Sequence, residues 1–179
     1  MKMFKKLMAV VLTGALAVSM LTGCAITDKI VGNSAKKALE TLCSAGGKDA
    51  TFTEITSTSS ETNKAYKTAS QAVEKALKEA IKADKDAKTY TLPSELLDSN
   101  AAVQAAIAAN PGFTFVVAKY DTSKDTVQKS ISDAQQAKLK ATVPAGEKGK
   151  FYMGNEIKGV KDAGKEKTCS WVLITVKHA

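Results

Sequence analysis

The chain has 179 residues, 44% of them hydrophobic but only 6% aromatic, and a formal charge of +8. All 26 basic residues are lysine. Without arginine's planar fork, bidentate reading of guanine or phosphate is lost, and aromatic interleaving is missing as well, so a nucleic-acid binder is excluded. A single histidine and three cysteines leave too few soft ligands for a zinc site, and neither a metal nor a cofactor is expected.

The N-terminus sets the compartment. Lys2, Lys5 and Lys6 precede an uncharged apolar run over 7–20, which leads into Leu21-Thr22-Gly23-Cys24. A basic start, a short apolar run and small residues at its end are the layout of a secretory signal. The strongly apolar part is shorter than the ~20 residues that a membrane span needs. The tetrapeptide resembles the lipobox of bacterial lipoproteins. That resemblance covers residues 1–24 only. It implies a diacylglyceryl group on the Cys24 thiol, cleavage between Gly23 and Cys24, and a mature domain held on the membrane by that lipid. Ala25 after the cysteine, in place of aspartate, implies the outer membrane facing the periplasm where the source has two membranes. Removing 23 of 179 residues leaves 156, enough for one domain with a core. The three lysines lost with the signal bring the charge from +8 to +5.

Beyond Cys24, apolar residues at helical spacing predict a helix over 26–45, stopped by Gly46-Gly47. Threonine-rich 50–60, anchored by Phe52 and Ile55, reads as a strand near a sheet edge. Ser60 caps a long helix over 61–86 whose stripe is Tyr66, Ala69, Val73, Leu77 and Ile81. On it Glu74 precedes Lys78 by four residues, read as an ion pair on a solvated face. A short strand over 89–92, a helical turn from Pro93 to Leu97 and an alanine-rich helix over 101–109 follow, ended by Asn110-Pro111-Gly112. Phe113, Phe115 and Val117 alternate with Thr114, Val116 and Ala118 in a strand with two apolar faces. A helix capped by Thr122 or Ser123 is predicted to run to about Lys138, then a strand over 139–143 before Pro144, a polar hairpin tip over 145–150, and a strand over 151–153. The glycine- and lysine-rich 154–167 reads as mobile. The nearly continuous apolar run in 168–177 reads as a central strand covered on both sides. Together these predict an α+β fold, with three or four helices on a small mixed or antiparallel sheet.

With Cys24 acylated, Cys43 and Cys169 form an even pair in an exported chain, and a disulfide between them is expected. It would close a loop stabilised by on the order of 4–5 kcal/mol in the chain-entropy view. Catalytic motifs are sparse. Gly146-Glu147-Lys148-Gly149-Lys150 lacks the spacing and hydroxyl of a phosphate loop. His178 sits beside the last residue, Ser34-Ala35-Lys36-Lys37 is a chance Ser-x-x-Lys, and Asp84 and Asp86 lie among lysines. The carboxylates Glu54, Glu95, Asp121 and Glu156 are the remaining candidates for hydrolysis of a glycan. Tyr120, Tyr152 and Trp171 would suit a sugar or peptide groove but read better as core.

Three functions follow in order. The first is a non-enzymatic envelope lipoprotein that binds a protein or an anionic envelope polymer. The second is a tethered hydrolase using carboxylates, and the third a carrier of a small apolar ligand. Converging acids would mark the hydrolase, a flat apolar or lysine-rich patch the binding module, and a deep dry cavity the carrier.

Overall fold

In the computed structural model the described residues are 24–84, 93–121, 126–128, 131–161 and 168–179. The side chains of 24–31, 84, 120, 121, 126–128, 158–161, 168 and 169 lie outside the description. The fold is α+β, as the periodicities predict. The described helices are α1 (Cys24–Cys43), α2 (Glu61–Asp84), α3 (Pro93–Ser99), α4 (Ala101–Ala108) and α5 (Asp133–Thr142). The strands are β1 (Thr51–Glu54), β2 (Thr114–Asp121), β3 (Thr126–Gln128), β4 (Lys148–Lys161) and β5 (Thr168–His178). They form one mixed sheet in the order β1-β4-β5-β2-β3, in which only the β1–β4 pair is parallel.

β5 is the middle strand of that order, and its run from Trp171 to Val176 is wholly buried. Alternation divides it between two cores. Val172, Ile174 and Val176 pack with Val116, Ala118, Phe151 and Phe52 under α1 and α5. Trp171 and Leu173 pack with Phe115, Val117 and Ile157 under α2, α3 and α4. The sheet is therefore a middle layer with helices on both faces, which explains why its central strands carry apolar residues at consecutive positions.

Local signals account for the boundaries. Gly46 and Gly47 take positive φ after α1, and Ser60 Oγ accepts the Asn63 N–H (3.2 Å) where α2 begins. Asn100 Oδ1 accepts the N–H groups of Ala102 and Val103 at the start of α4. The predictions over 122–143 fail. β3 interrupts the expected helix, and α5 starts ten residues later, capped by Ser132, whose Oγ accepts the Gln135 N–H. Ile131, Gln135, Leu139 and Val143 are four apart and all buried, so 139–143 continues one helical stripe and is not a strand. Residues 154–161, read as mobile, extend β4. The predicted strand over 89–92, the caps Thr122 and Ser123, and residues 85–88 and 162–167 lie outside the described residues.

Between Met153, which pairs with Ile174, and Glu156, which pairs with Val172, β4 holds one residue more than β5. This bulge turns the strand over: Phe151 packs towards α1 and Ile157 towards α2. Glu74 of α2 grips it. Only 4% exposed, Glu74 accepts the Asn155 backbone N–H (3.2 Å) and the Asn155 side-chain amide (3.3 Å), and takes the Lys78 ammonium as well. The solvated face expected around Glu74 is thus a buried clamp between helix and sheet.

Cys43 is a free, buried thiol, and the side chain of Cys169, its expected partner, lies outside the described residues. Cys43 belongs to the core with Val172 and Ile174. Burial raises the Cys43 thiol from 9.0 to about 11, against a smaller lowering by Lys140. Because the folded value is the higher, the fold gains from the neutral thiol below pH 9 and loses that gain as pH rises towards 11. Alkylation at pH 8 followed by peptide mapping is expected to leave Cys43 unmodified until the chain unfolds. Rapid modification of the native protein, or recovery of a Cys43–Cys169 peptide, would contradict this.

Candidate functional site

Among the described residues, the carboxylates singled out for chemistry share no cleft. Glu54 ends edge strand β1 over Gly32 of α1, where an added methyl group would lie 2.0 Å from its carboxylate. Glu95 is exposed on α3, against the opposite face. Glu156 sits past the bulge, in register with Val172. Neither surface cleft described below is lined by any of them, and the Asp121 side chain lies outside the description. Among the described residues no three acid, histidine or cysteine side chains group together. His178 is exposed, its Nε2 3.5 Å from Glu147 Oε2. The strand end that carries it is held by the Ala179 N–H on the Lys148 carbonyl (2.9 Å). Gly146, at φ +89, makes the turn from α5 into β4, so 145–150 is not a hairpin tip. Trp171 is core, as expected, and Tyr152 is half-buried. Gly23 lies outside the described residues, and Cys24 opens α1.

What the sheet does bring together is lysine. Thr51 pairs with Lys148, Thr53 with Lys150, and Lys150 with Lys177. Since Phe52, Phe151 and Val176 point to the α1 side, alternation sends all of these to the other face. All five are exposed, because α2 covers that face only from Tyr66 onward. There Tyr66 meets Phe113 edge-on, with ring centroids 5.0 Å apart. The Lys177 ammonium lies 5.5 Å from the Phe113 ring centre, a cation–π contact. No described carboxylate comes within 4.0 Å of Lys148, Lys150 or Lys177. Directly opposed like charges cost a sheet a few tenths of a kcal/mol to about 1 kcal/mol, and among the described residues no carboxylate offsets that.

α1 crosses the other face, packing on both β1 and β3. Its C-terminal end lies by β1, where Glu40 Oε1 accepts the Phe52 N–H (3.2 Å). β3 pairs only with the far end of β2, from Lys119 to Asp121. Lys177 stands by the near end, next to the Thr114–Val176 pair. A helix of this length spans about 30 Å, so Cys24 and the lysine row lie at opposite ends of the sheet.

Among the clefts of the described surface, two bear on function. A shallow groove of about 340 Å³ follows α2 past Gln71, Lys75, Lys78 and Lys82. A smaller one, of about 260 Å³, lies where β3 leaves the edge of β2 uncovered, between α3–α4 and α5. Beside it Gln135, fully buried, stands in for the missing strand. Its Oε1 accepts the Val117 N–H (2.9 Å), and its Nε2 donates to the Ser94 carbonyl (3.0 Å) and to Asp98 Oδ2 (3.2 Å). Ser132 Oγ donates to the same Asp98 oxygen (2.7 Å).

Comparison with protein-family models, with curated proteins and with solved structures finds no match. Function therefore has to be argued from these surfaces. Lys177, Asp98, Gln135 and Lys138 did not stand out in the sequence, and Lys148 and Lys150 were met only in a stretch that fails as a phosphate loop. The lysines are three among 26, and only the register between β1, β4 and β5 gathers them. Gln135 alone carried a signal, as a polar residue on an otherwise apolar i, i+4 stripe.

Proposed function

We propose that the chain is a lipid-tethered, non-enzymatic binding module of the bacterial envelope, whose lysine-bearing sheet end takes an anionic envelope polymer. The observation that carries this reading is the unpaired row of Lys148, Lys150 and Lys177 on a flat, exposed face. A polymer of regularly spaced phosphates or carboxylates would relieve the like-charge opposition of Lys150 and Lys177 and slide across threonines that present no apolar barrier. Lysine's flexible point charge suits a repeating partner with little sequence to read. The tether fits the same arrangement. A lipid on Cys24 would hold one end of the sheet at the membrane and present the other to the polymer.

The Cys24→Ala chain should leave the membrane fraction, and in soluble form should pellet with purified cell-envelope polymer. Adding Lys150→Glu and Lys177→Glu should reduce pelleting at least about tenfold at low salt, since each lysine at an anionic surface contributes roughly 1 kcal/mol. Raising ionic strength should weaken the parent in the same way. Membrane retention of Cys24→Ala would sink the tether, and pelleting indifferent to both charge reversals would sink the polymer site.

A further inference from the structure

We propose that the cleft at the uncovered edge of β2 and the lysine row form one continuous site for an amphiphile, a phosphate or comparable anion that carries a single alkyl chain. This is the chemistry of the lipid-bearing end of an anionic polymer. The inference rests on the reading of the row as an anion site and adds to it a place for the chain. Phe113 joins the two. It lines the cleft, and its ring centre lies 5.5 Å from the Lys177 ammonium. Thr114, the next residue, also lines the cleft and pairs with Val176, directly before Lys177. A chain lying on Phe113 therefore has its head beside Lys177, whose register partner is Lys150.

The cleft has the lining and the size for an alkyl chain. Leu97, Ile107 and Phe115 give it apolar walls from α3, α4 and β2, and its volume of about 260 Å³ leaves room for a single chain. Its charges favour an anion. Lys138 on the α5 wall is exposed and meets no described carboxylate within 4.0 Å. Asp98, the acid of the α3 wall, has Oδ2 engaged by the Ser132 hydroxyl and the Gln135 amide, and Oδ1 buried, so neither oxygen is offered to a ligand. The walls are fixed before any ligand arrives, since Gln135 ties α5 to β2 and α3, and binding spends little on ordering them. The row lies at the far end of the sheet from Cys24. The chain is therefore the polymer's own and not that of a phospholipid in the membrane that holds the tether.

The test is a ¹⁵N-edited NMR titration of the full chain carrying Cys24→Ala with octyl phosphate, inorganic phosphate and octyl glucoside, each below micelle formation. Octyl phosphate is expected to shift the amides of Phe115 and Ala141 in the cleft and of Lys150 and Lys177 in the row along one saturable curve. Inorganic phosphate should shift only the row and bind at least about thirtyfold more weakly, the share of roughly three buried methylenes. Octyl glucoside should shift only the cleft. Lys177→Glu should weaken octyl phosphate about tenfold and leave octyl glucoside unchanged. Ala141→Gln, at an exposed helix position, should fill the mouth of the cleft and bring octyl phosphate down towards inorganic phosphate. Equal affinity for octyl phosphate and inorganic phosphate, with shifts confined to the row, would overturn the inference and leave the polymer reading standing. Equal affinity for octyl phosphate and octyl glucoside would overturn it from the other side, and polymer pelleting, which needs no alkyl chain, then judges the row by itself. Flotation with phosphatidylglycerol vesicles that Ala141→Gln abolishes would reassign the cleft to a bilayer lipid.

Discussion

Gln135→Ala is expected to remove roughly 3–5 kcal/mol of stability, a large share of the 5–15 kcal/mol typical of a domain. Three groups lose a partner together. They are the Val117 N–H at the uncovered edge of β2, the Ser94 carbonyl on α3, and Asp98 Oδ2, which keeps only the Ser132 hydroxyl of its two donors. The site is fully buried, so water cannot replace the amide without opening the structure. For a chain of this size the melting temperature should fall by about 10–15 °C. Gln135→Glu separates hydrogen bonding from volume. The new carboxylate can still accept from Val117, but its second oxygen faces the Ser94 carbonyl and Asp98, both acceptors. Its folded pKa must then lie above the unfolded ~4.3, so the penalty is small at pH 4 and grows as pH rises towards the folded value. Urea denaturation at pH 4 and pH 7, each against the parent, would show it. A variant as stable as the parent at pH 7 would mean that the amide is not the strut described.

Much of the scaffold was legible because its signals are local. Glycines after α1, caps at Ser60 and Asn100, and the Asn110-Pro111-Gly112 stop each act within a turn of the residues they end. The consecutive apolar residues of β5 announced a strand covered on both faces. The errors fall where a decision depends on distant partners. Ser132 and Gln135 have the Ser-x-x-Gln spacing of a capping box, but a rival cap at Thr122 or Ser123 is just as acceptable until β3 has paired with β2. The candidate binding surfaces were almost invisible. Lys150 and Lys177 are 27 positions apart in the chain, and no pattern in either strand foretells that they become neighbours. Nothing near Asp98 in the chain announces its partners either. Its role depends on α5 arriving 34 residues later.

Glu74 shows the same dependence and carries the second large effect. Spacing alone made it half of a surface pair with Lys78, and on that view Glu74→Ala and Lys78→Ala should each cost a few tenths of a kcal/mol. The structure predicts a strong asymmetry. Lys78 has a side chain 47% exposed while that of Glu74 is 6% exposed, so Lys78→Ala should stay below about 1 kcal/mol. Glu74→Ala strips the Asn155 backbone N–H and side-chain amide of their acceptor at the point where β4 turns over. The expected loss is roughly 3 kcal/mol. Glu74→Gln should fall between, since one amide oxygen can keep the backbone bond while its NH₂ opposes the Asn155 donor. Hydrogen exchange gives an independent readout. The Asn155 amide should exchange far faster in Glu74→Ala and little faster in Lys78→Ala. Equal small losses for both variants, with Asn155 protection unchanged, would return Glu74 to the surface. If the asymmetry holds, the carboxylate is what fixes the β4 bulge against α2, and with it the change of face that places Phe151 in one core and Ile157 in the other.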